Sequence, residues 1–235
     1  MRATKFTSAF SDSVGFMATV LITGANKGIG LELSRQLAER GDTVLALCRK
    51  ASRELDALGV QVFEEVDVTD QAALEAVSRD LGDTQVDVLI NNAGIFESET
   101  FDDLDFDQIR RQFEVNALGP LQVTSVLRHH LGKGSKIILV TSRMGSIDDN
   151  GSGGYYGYRM SKAALNMAGV NLAHDFRGKG IAVAILHPGM VATEMTGRNG
   201  IPVSESAQGL IARIDELQLA DSGGFWHANG ERLPW

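Results

Sequence analysis

The residues best able to do chemistry are Tyr158 and Lys162, in the run Tyr158-Arg159-Met160-Ser161-Lys162. Four residues apart, they share one face of a helix, so the Lys162 ammonium can approach the Tyr158 phenol. A phenol has a pKa of about 10 and is a poor proton carrier at neutral pH. A fixed cation nearby favours the phenolate and brings that pKa towards the working range. Tyr155 and Tyr156 have Arg159 and Met160 at the fourth position instead. The spacing therefore selects Tyr158 for acid–base work.

Upstream lies a second chemical element, Thr23-Gly24-Ala25-Asn26-Lys27-Gly28-Ile29-Gly30, directly after the apolar run Val20-Leu21-Ile22. Glycines let a backbone turn tightly and approach a pyrophosphate, which a helix N-terminus attracts. A tight strand–helix connection with no ligand is the competing reading. The next apolar run ends Ala46-Leu47-Cys48-Arg49-Lys50. A carboxylate often stands there to hold a ribose hydroxyl, and none is present. Arg49 offers a guanidinium suited to a phosphate, and Lys27 adds a second cation. Two solvated surface cations are the alternative.

These groups need a scaffold. Thr19–Thr23, Thr43–Cys48, Val60–Val66, Val86–Ile90, Lys136–Thr141 and Ile181–Leu186 read as short strands, with Gly224–His227 as a seventh. Most are continuous in apolar residues, as parallel strands covered on both faces are. Gly28–Arg40, Ser52–Leu58, Asp70–Leu81, Asp105–Leu131, Gly157–Phe176 and Ser204–Leu217 carry helical spacing, with Ser204 as an N-cap. Gly119-Pro120 predicts a kink in the long fourth helix. The alternation predicts one α/β domain over residues 18–235: a doubly wound parallel sheet, a Rossmann fold of about seven strands flanked by helices.

The 235-residue chain is 43% hydrophobic with a formal net charge of −8, which argues for a globular core and against a nucleic-acid partner. One cysteine, Cys48, allows no internal disulfide and suits a reducing cytoplasm. No apolar run approaches the roughly 20 residues that span a bilayer, so no membrane role is expected. Residues 1–17 lack periodicity and read as a disordered extension, with Met17-Ala18 resembling a start. His129-His130, His174, His187 and His227 lack clustered partner ligands, so no metal is expected. Asp102, Asp103, Asp105 and Asp107 read as a solvated loop and helix start.

Taken in order, the motifs resemble the short-chain dehydrogenase/reductase family. They are the Gly24-x-x-x-Gly28-x-Gly30 turn, Asp67-Val68, Asn91-Asn92-Ala93-Gly94, Asn116, Ser142, Tyr158-x-x-x-Lys162, and Pro188-Gly189 with Val191 and Thr193. The stretch from Gly145 to Asn166 is also similar to the C-factor-like and Sniffer-like carbonyl reductase branch. The resemblance implies a catalytic set of Asn116, Ser142, Tyr158 and Lys162. Tyr158 would be the general acid, and Lys162 would lower its pKa and bind the nicotinamide ribose. Ser142 would hydrogen-bond the substrate carbonyl, and Asn116 would hold a water in a relay to Lys162. Ser142 is preferred to Ser146 because it opens an S-x-x-G run with Gly145.

The resemblance further implies NADP(H) held by Gly24, Asn26, Lys27, Gly28, Ile29, Gly30, Arg49, Asp67, Val68, Asn91, Ala93, Gly94, Tyr158, Lys162, Pro188, Gly189, Val191 and Thr193. The implied reaction is NADPH-dependent reduction of a ketone or aldehyde to an alcohol. Ile95, Phe96, Met144, Ile147 and Met190, with the lid candidates Met195, Ile201, Pro202 and Val203, predict a mainly apolar carbonyl substrate; Arg143 or Arg198 turned inward to bind a carboxylate is the alternative. A homodimer is expected, with a tetramer open. A second reading is a signalling protein that binds the nucleotide but turns over little.

Overall fold

The computed structural model describes residues 17–235; the expectation for the first 17 residues falls, Met17 apart, outside them. Seven parallel strands form one sheet in the order β3-β2-β1-β4-β5-β6-β7. They are β1 (Thr19–Thr23), β2 (Thr43–Leu47), β3 (Gln61–Phe63), β4 (Val88–Asn91), β5 (Lys136–Val140), β6 (Ala182–His187) and β7 (Gly224–His227). The helices are α1 (Gly28–Arg40), α2 (Arg53–Asp56), α3 (Gln71–Leu81), α4 (Phe106–Phe113), α5 (Gly119–Leu127), α6 (Tyr156–Arg177) and α7 (Val203–Glu216).

Both faces of the sheet are dry. Leu21, Leu89, Ile137 and Ile185 pack with residues of α3, α5 and α6 on one face. Their strand neighbours Val20, Ile22, Ile90 and Ile138 pack with α1, α2 and α7 on the other. This is why the strands read as unbroken apolar runs: successive side chains enter opposite cores. The strand order reverses between β1 and β4, opening a crevice beyond their carboxyl ends where doubly wound sheets bind ligands.

Three elements depart from expectation. β3 is only three residues long, and Glu65 just beyond it has a positive φ of 60° that ends any extended run. α7 begins at Val203 with Pro202 as N-cap, so Ser204 lies inside it. The long helix is broken into α4, a π-helical turn at Glu114–Leu118, and α5 with Pro120 in its first turn. Pro120 has no N–H to donate and so belongs at a helix start. The widened turn before it carries Asn116.

Candidate active site

The Gly-rich turn is stitched to the end of β4. Thr23 Oγ1 accepts the amides of Asn92 and Ala93 at 3.0 and 3.1 Å. Asn92 Nδ2 donates to the Thr23 and Gly24 carbonyls at 3.0 and 3.2 Å. A Cβ on Gly30 would stand 2.2 Å from the Gly24 oxygen, so only glycine permits this return of the chain. Asn26 and Ile29 are half-buried beside it, and Lys27 is exposed.

The other sequence-predicted nucleotide residues follow the carboxyl ends of the neighbouring strands. Arg49 is exposed just past β2. Burial opposes the charge of Asp67, but two Thr69 hydrogen bonds, with Arg49 and Arg111 nearby, hold its carboxyl below the usual range. Val68 is buried against Gly119. Asn91 is buried, donating from Nδ2 to Thr124 Oγ1 at 3.3 Å, while its Oδ1 has no partner among the described residues. Past β6, Pro188 accepts from Ser206 Oγ at 2.8 Å, and Gly189 has a φ of 89°. Val191 bridges to Ile201, folding residues 190–201 into a closed loop. Thr193 Cγ2 lies 3.5 Å from where a Cβ of Gly28 would stand, so this loop sits over the Gly-rich turn. Lys27 Nζ reaches across to Glu194 Oε2 at 2.8 Å, a pairing that local sequence does not reveal.

On α6, Tyr158 and Lys162 are both buried. Lys162 Nζ lies 5.8 Å from the Tyr158 ring centroid and donates to the Val140 carbonyl at 3.1 Å. Burial pushes the phenol up to about 12, with a Ser142 hydrogen bond acting the other way. Burial likewise brings the Lys162 ammonium down to about 8. In the ligand-free site burial is thus the larger influence on both groups. Desolvation penalises both charged forms, the phenolate and the ammonium alike. The phenol is consequently protonated at neutral pH, the form an acid catalyst needs.

Ser142 accepts the Met144 amide at 3.1 Å. Ser146 is turned away, donating to the Trp235 carbonyl at 2.9 Å. Asn116 accepts the Ile95 amide at 2.8 Å and donates to the Ile95 carbonyl and Ser161 Oγ at 2.9 and 3.1 Å. A Cβ on Gly94 would lie 3.2 Å from Asn116 Oδ1 and 3.6 Å from Lys162 Nζ, so the two side chains meet around Gly94. Phe96 packs edge-on against Tyr158 with centroids 4.9 Å apart.

His187 escaped the sequence reading as anything but a failed metal ligand. It ends β6, buried, with Nδ1 unpartnered among the described residues and the His227 ring 4.9 Å away. Burial, with His227, Arg143 and Lys162 adding to it, drives its pKa down to about 3. Among the described residues no cluster of three metal-ligating side chains exists, and no helix is long and apolar enough to cross a membrane.

A Rossmann-type sheet with a Gly-rich turn at the switch point and a buried Tyr–Lys–Ser–Asn group beside it defines a nucleotide-dependent oxidoreductase scaffold. The family model described as short chain dehydrogenase matches residues 18–201, and the chain belongs to this oxidoreductase family. It is 45% identical over 226 residues to a 1-hydroxy-2-glutathionyl-2-methyl-3-butene dehydrogenase of Rhodococcus sp. strain AD45, covering 93% of this chain and 100% of that one. The C-signal protein of Myxococcus xanthus is 45% identical over 154 residues, 64% of this chain and 93% of its own. The structure of an NADPH-bound carbonyl reductase from chicken fatty liver superposes with a TM-score of 0.84 at 30% identity, covering 93% and 99% of the two chains. The carbonyl reductase Sniffer of D. melanogaster gives 0.86 at 27% identity, covering 94% and 100%.

Proposed function

We propose that this protein is an NADPH-dependent carbonyl reductase, converting a ketone or aldehyde to an alcohol. The observation that carries the reading is the buried Tyr158 phenol with Lys162 Nζ 5.8 Å from its ring, on the same face of α6, and Ser142 beside it. The cofactor is supported by the turn that admits only glycine, the orphaned Asn91 Oδ1 and the absence of an acid after β2. Arg49 would hold the 2′-phosphate, with Lys27 once released from Glu194. Asp67 and Val68 would meet the adenine. Val191 and Thr193 would meet the carboxamide. When bound, the reduced nicotinamide supplies the hydride.

The side chains supply the rest. Ser142 and Tyr158 both donate to the substrate carbonyl oxygen and fix its orientation. Tyr158 then gives that oxygen its proton. Lys162 stabilises the phenolate as it forms, and its ammonium also binds the ribose. Asn116 orders the path by which the proton is replaced. A phenol that ionises only in the transition state benefits from Lys162 only there, which is how differential stabilisation raises kcat.

The substrate is proposed to be mainly apolar. Phe96 lies on Tyr158, and Ile147, Met190 and Met195, in the segments after β5 and β6, are exposed. Arg143 is engaged by Asp149 at 2.5 Å and Glu231 at 3.6 Å, leaving less charge for a substrate carboxylate. A glutathione-conjugated alcohol is a second reading, favoured by the 45% identity to the Rhodococcus enzyme over its whole length. The buried free Cys48 fits a reducing cytoplasm, and exposed Leu121, Met160 and Met167, with Leu118 in the π turn, fit a homodimer through α5 and α6.

The test is NADPH oxidation against ketones, aldehydes and quinones, with NADP⁺ reduction by a glutathionyl alcohol alongside. Turnover of apolar carbonyls supports the reading; preference for the glutathionyl alcohol supports the second. NADPH binding without turnover of either would favour a signalling role.

A further inference from the structure

Helix α6 must place Tyr158 within its first turn, yet it begins without a cap of its own. Tyr155, its N-cap residue, is left-handed with a φ of 52° and gives no side-chain hydrogen bond to the helix. The first amides of a helix are orphaned unless something outside accepts from them. Here the acceptor comes from the loop after β4, 58 residues away. Glu99 Oε2 accepts the Gly157 amide at 3.2 Å, and the Glu99 carbonyl accepts the Tyr155 amide at 2.9 Å. Glu99 Oε1 accepts a short hydrogen bond from Gln112 Nε2 on α4. Gln112 Oε1 in turn accepts the Glu97 amide at 3.0 Å.

Glu99 and Gln112 are both buried, at 3% and 0% exposure, and none of the ion pairs among the described residues involves Glu99. A buried carboxylate with no cation is costly unless donors and a helix N-terminus surround it. The packing at Gly157 is tight. A Cβ on Gly157 would fall 2.4 Å from Gln112 Nε2, 2.9 Å from Glu99 Oε1 and 3.1 Å from Ile109 Cα. The same short loop supports two of the site's side chains, through Ile95 on Asn116 and Phe96 on Tyr158.

We propose that Glu99 is a positioning residue for Tyr158: its carboxylate, oriented by Gln112, caps and anchors the first turn of α6. The inference rests on Tyr158 being the proton donor. Both carboxylate oxygens accept, so Glu99→Gln sets an amide donor against a donor. Adding Gln112→Glu restores the pattern: residue 112 accepts from the Glu97 amide and the new Gln amide, whose oxygen accepts from Gly157.

The experiment compares Glu99→Gln, Glu99→Gln with Gln112→Glu, and the unaltered protein. The expected result is a kcat lowered about tenfold to a hundredfold by the single change. The carbonyl KM and the Kd for NADPH should change little, and the swapped pair should recover most of kcat. A second readout needs no turnover. The chain has only three tyrosines, Tyr155, Tyr156 and Tyr158. With 3-fluorotyrosine incorporated, the Tyr158 resonance, assigned by Tyr158→Phe, should move in the single variant and return in the swap. A folded single variant with unchanged kcat and an unmoved Tyr158 signal would overturn the proposal, as would a swap that folds but restores neither. If the unaltered protein reduces no carbonyl while the fluorine signals behave as stated, the reaction is wrong and the anchoring stands.

Discussion

Lys162 ties the pH dependence of stability to that of activity, in opposite senses. Burial lowers its pKa from 10.5 to about 8 in the folded chain. Between those values the unfolded chain binds more protons than the folded one. Stability therefore rises with pH across this window and is reduced below it, where an ammonium must be buried. The full shift corresponds to about 3 kcal/mol, an upper bound. Activity runs the other way, because only the ammonium stabilises a phenolate. The ligand-free protein should hold Lys162 about nine-tenths charged at pH ~7 and about one-tenth charged at pH ~9. Values of kcat/KM for the cofactor report the free enzyme, so they should fall with a midpoint near pH 8. The assay is initial-rate NADPH oxidation from about pH 6 to about pH 10, with melting temperatures in the same buffers. Lys162→Met should lose the alkaline limb, and its melting curve should lack the gain that the unaltered protein shows relative to it. An alkaline limb near 10, or parallel melting profiles for the two proteins, would refute the reasoning.

Arg49→Ala should weaken NADPH roughly tenfold to a hundredfold and NADH far less, read by fluorescence titration; equal losses would remove Arg49 from the phosphate site. Tyr158→Phe should lower kcat on the order of a hundredfold or more while leaving NADPH binding intact; near-normal turnover would dismiss Tyr158 as the acid. His187 makes the fold acid-sensitive: its pKa falls from 6.5 unfolded to about 3 folded. The unfolded state therefore binds the extra proton, and stability declines as pH drops through that range, by up to about 5 kcal/mol. Urea unfolding at pH ~4 and ~7 should show the decline, with a shallower one in His187→Gln; identical slopes would assign the acid sensitivity elsewhere.

The features legible in the sequence are those whose cause is local. Unbroken apolar runs reveal buried parallel strands because each successive side chain enters a core, and Leu21 beside Ile22 does so on opposite faces. The Gly24–Gly30 turn is legible because a Cβ there would clash with the chain's own return. The spacing of Tyr158 and Lys162 is legible because helix geometry fixes it. What escaped depends on distant atoms. The π turn at 114–118 shifts hydrogen-bond register without changing composition, so Asp105–Leu131 reads as one helix with a kink. Lys27 reads as a free cation because its partner Glu194 is 167 residues away. The burial of Tyr158, which opposes its ionisation, is likewise hidden from a sequence that shows only the Lys162 neighbour. A phenol already ionised would need a proton from elsewhere before it could act on a carbonyl. A neutral one carries the proton that the proposed acid role requires. Glu99 belongs to the same class of long-range determinants. Its carboxylate carries no motif, and its role is set by the two donors that the fold brings to it from α4 and α6.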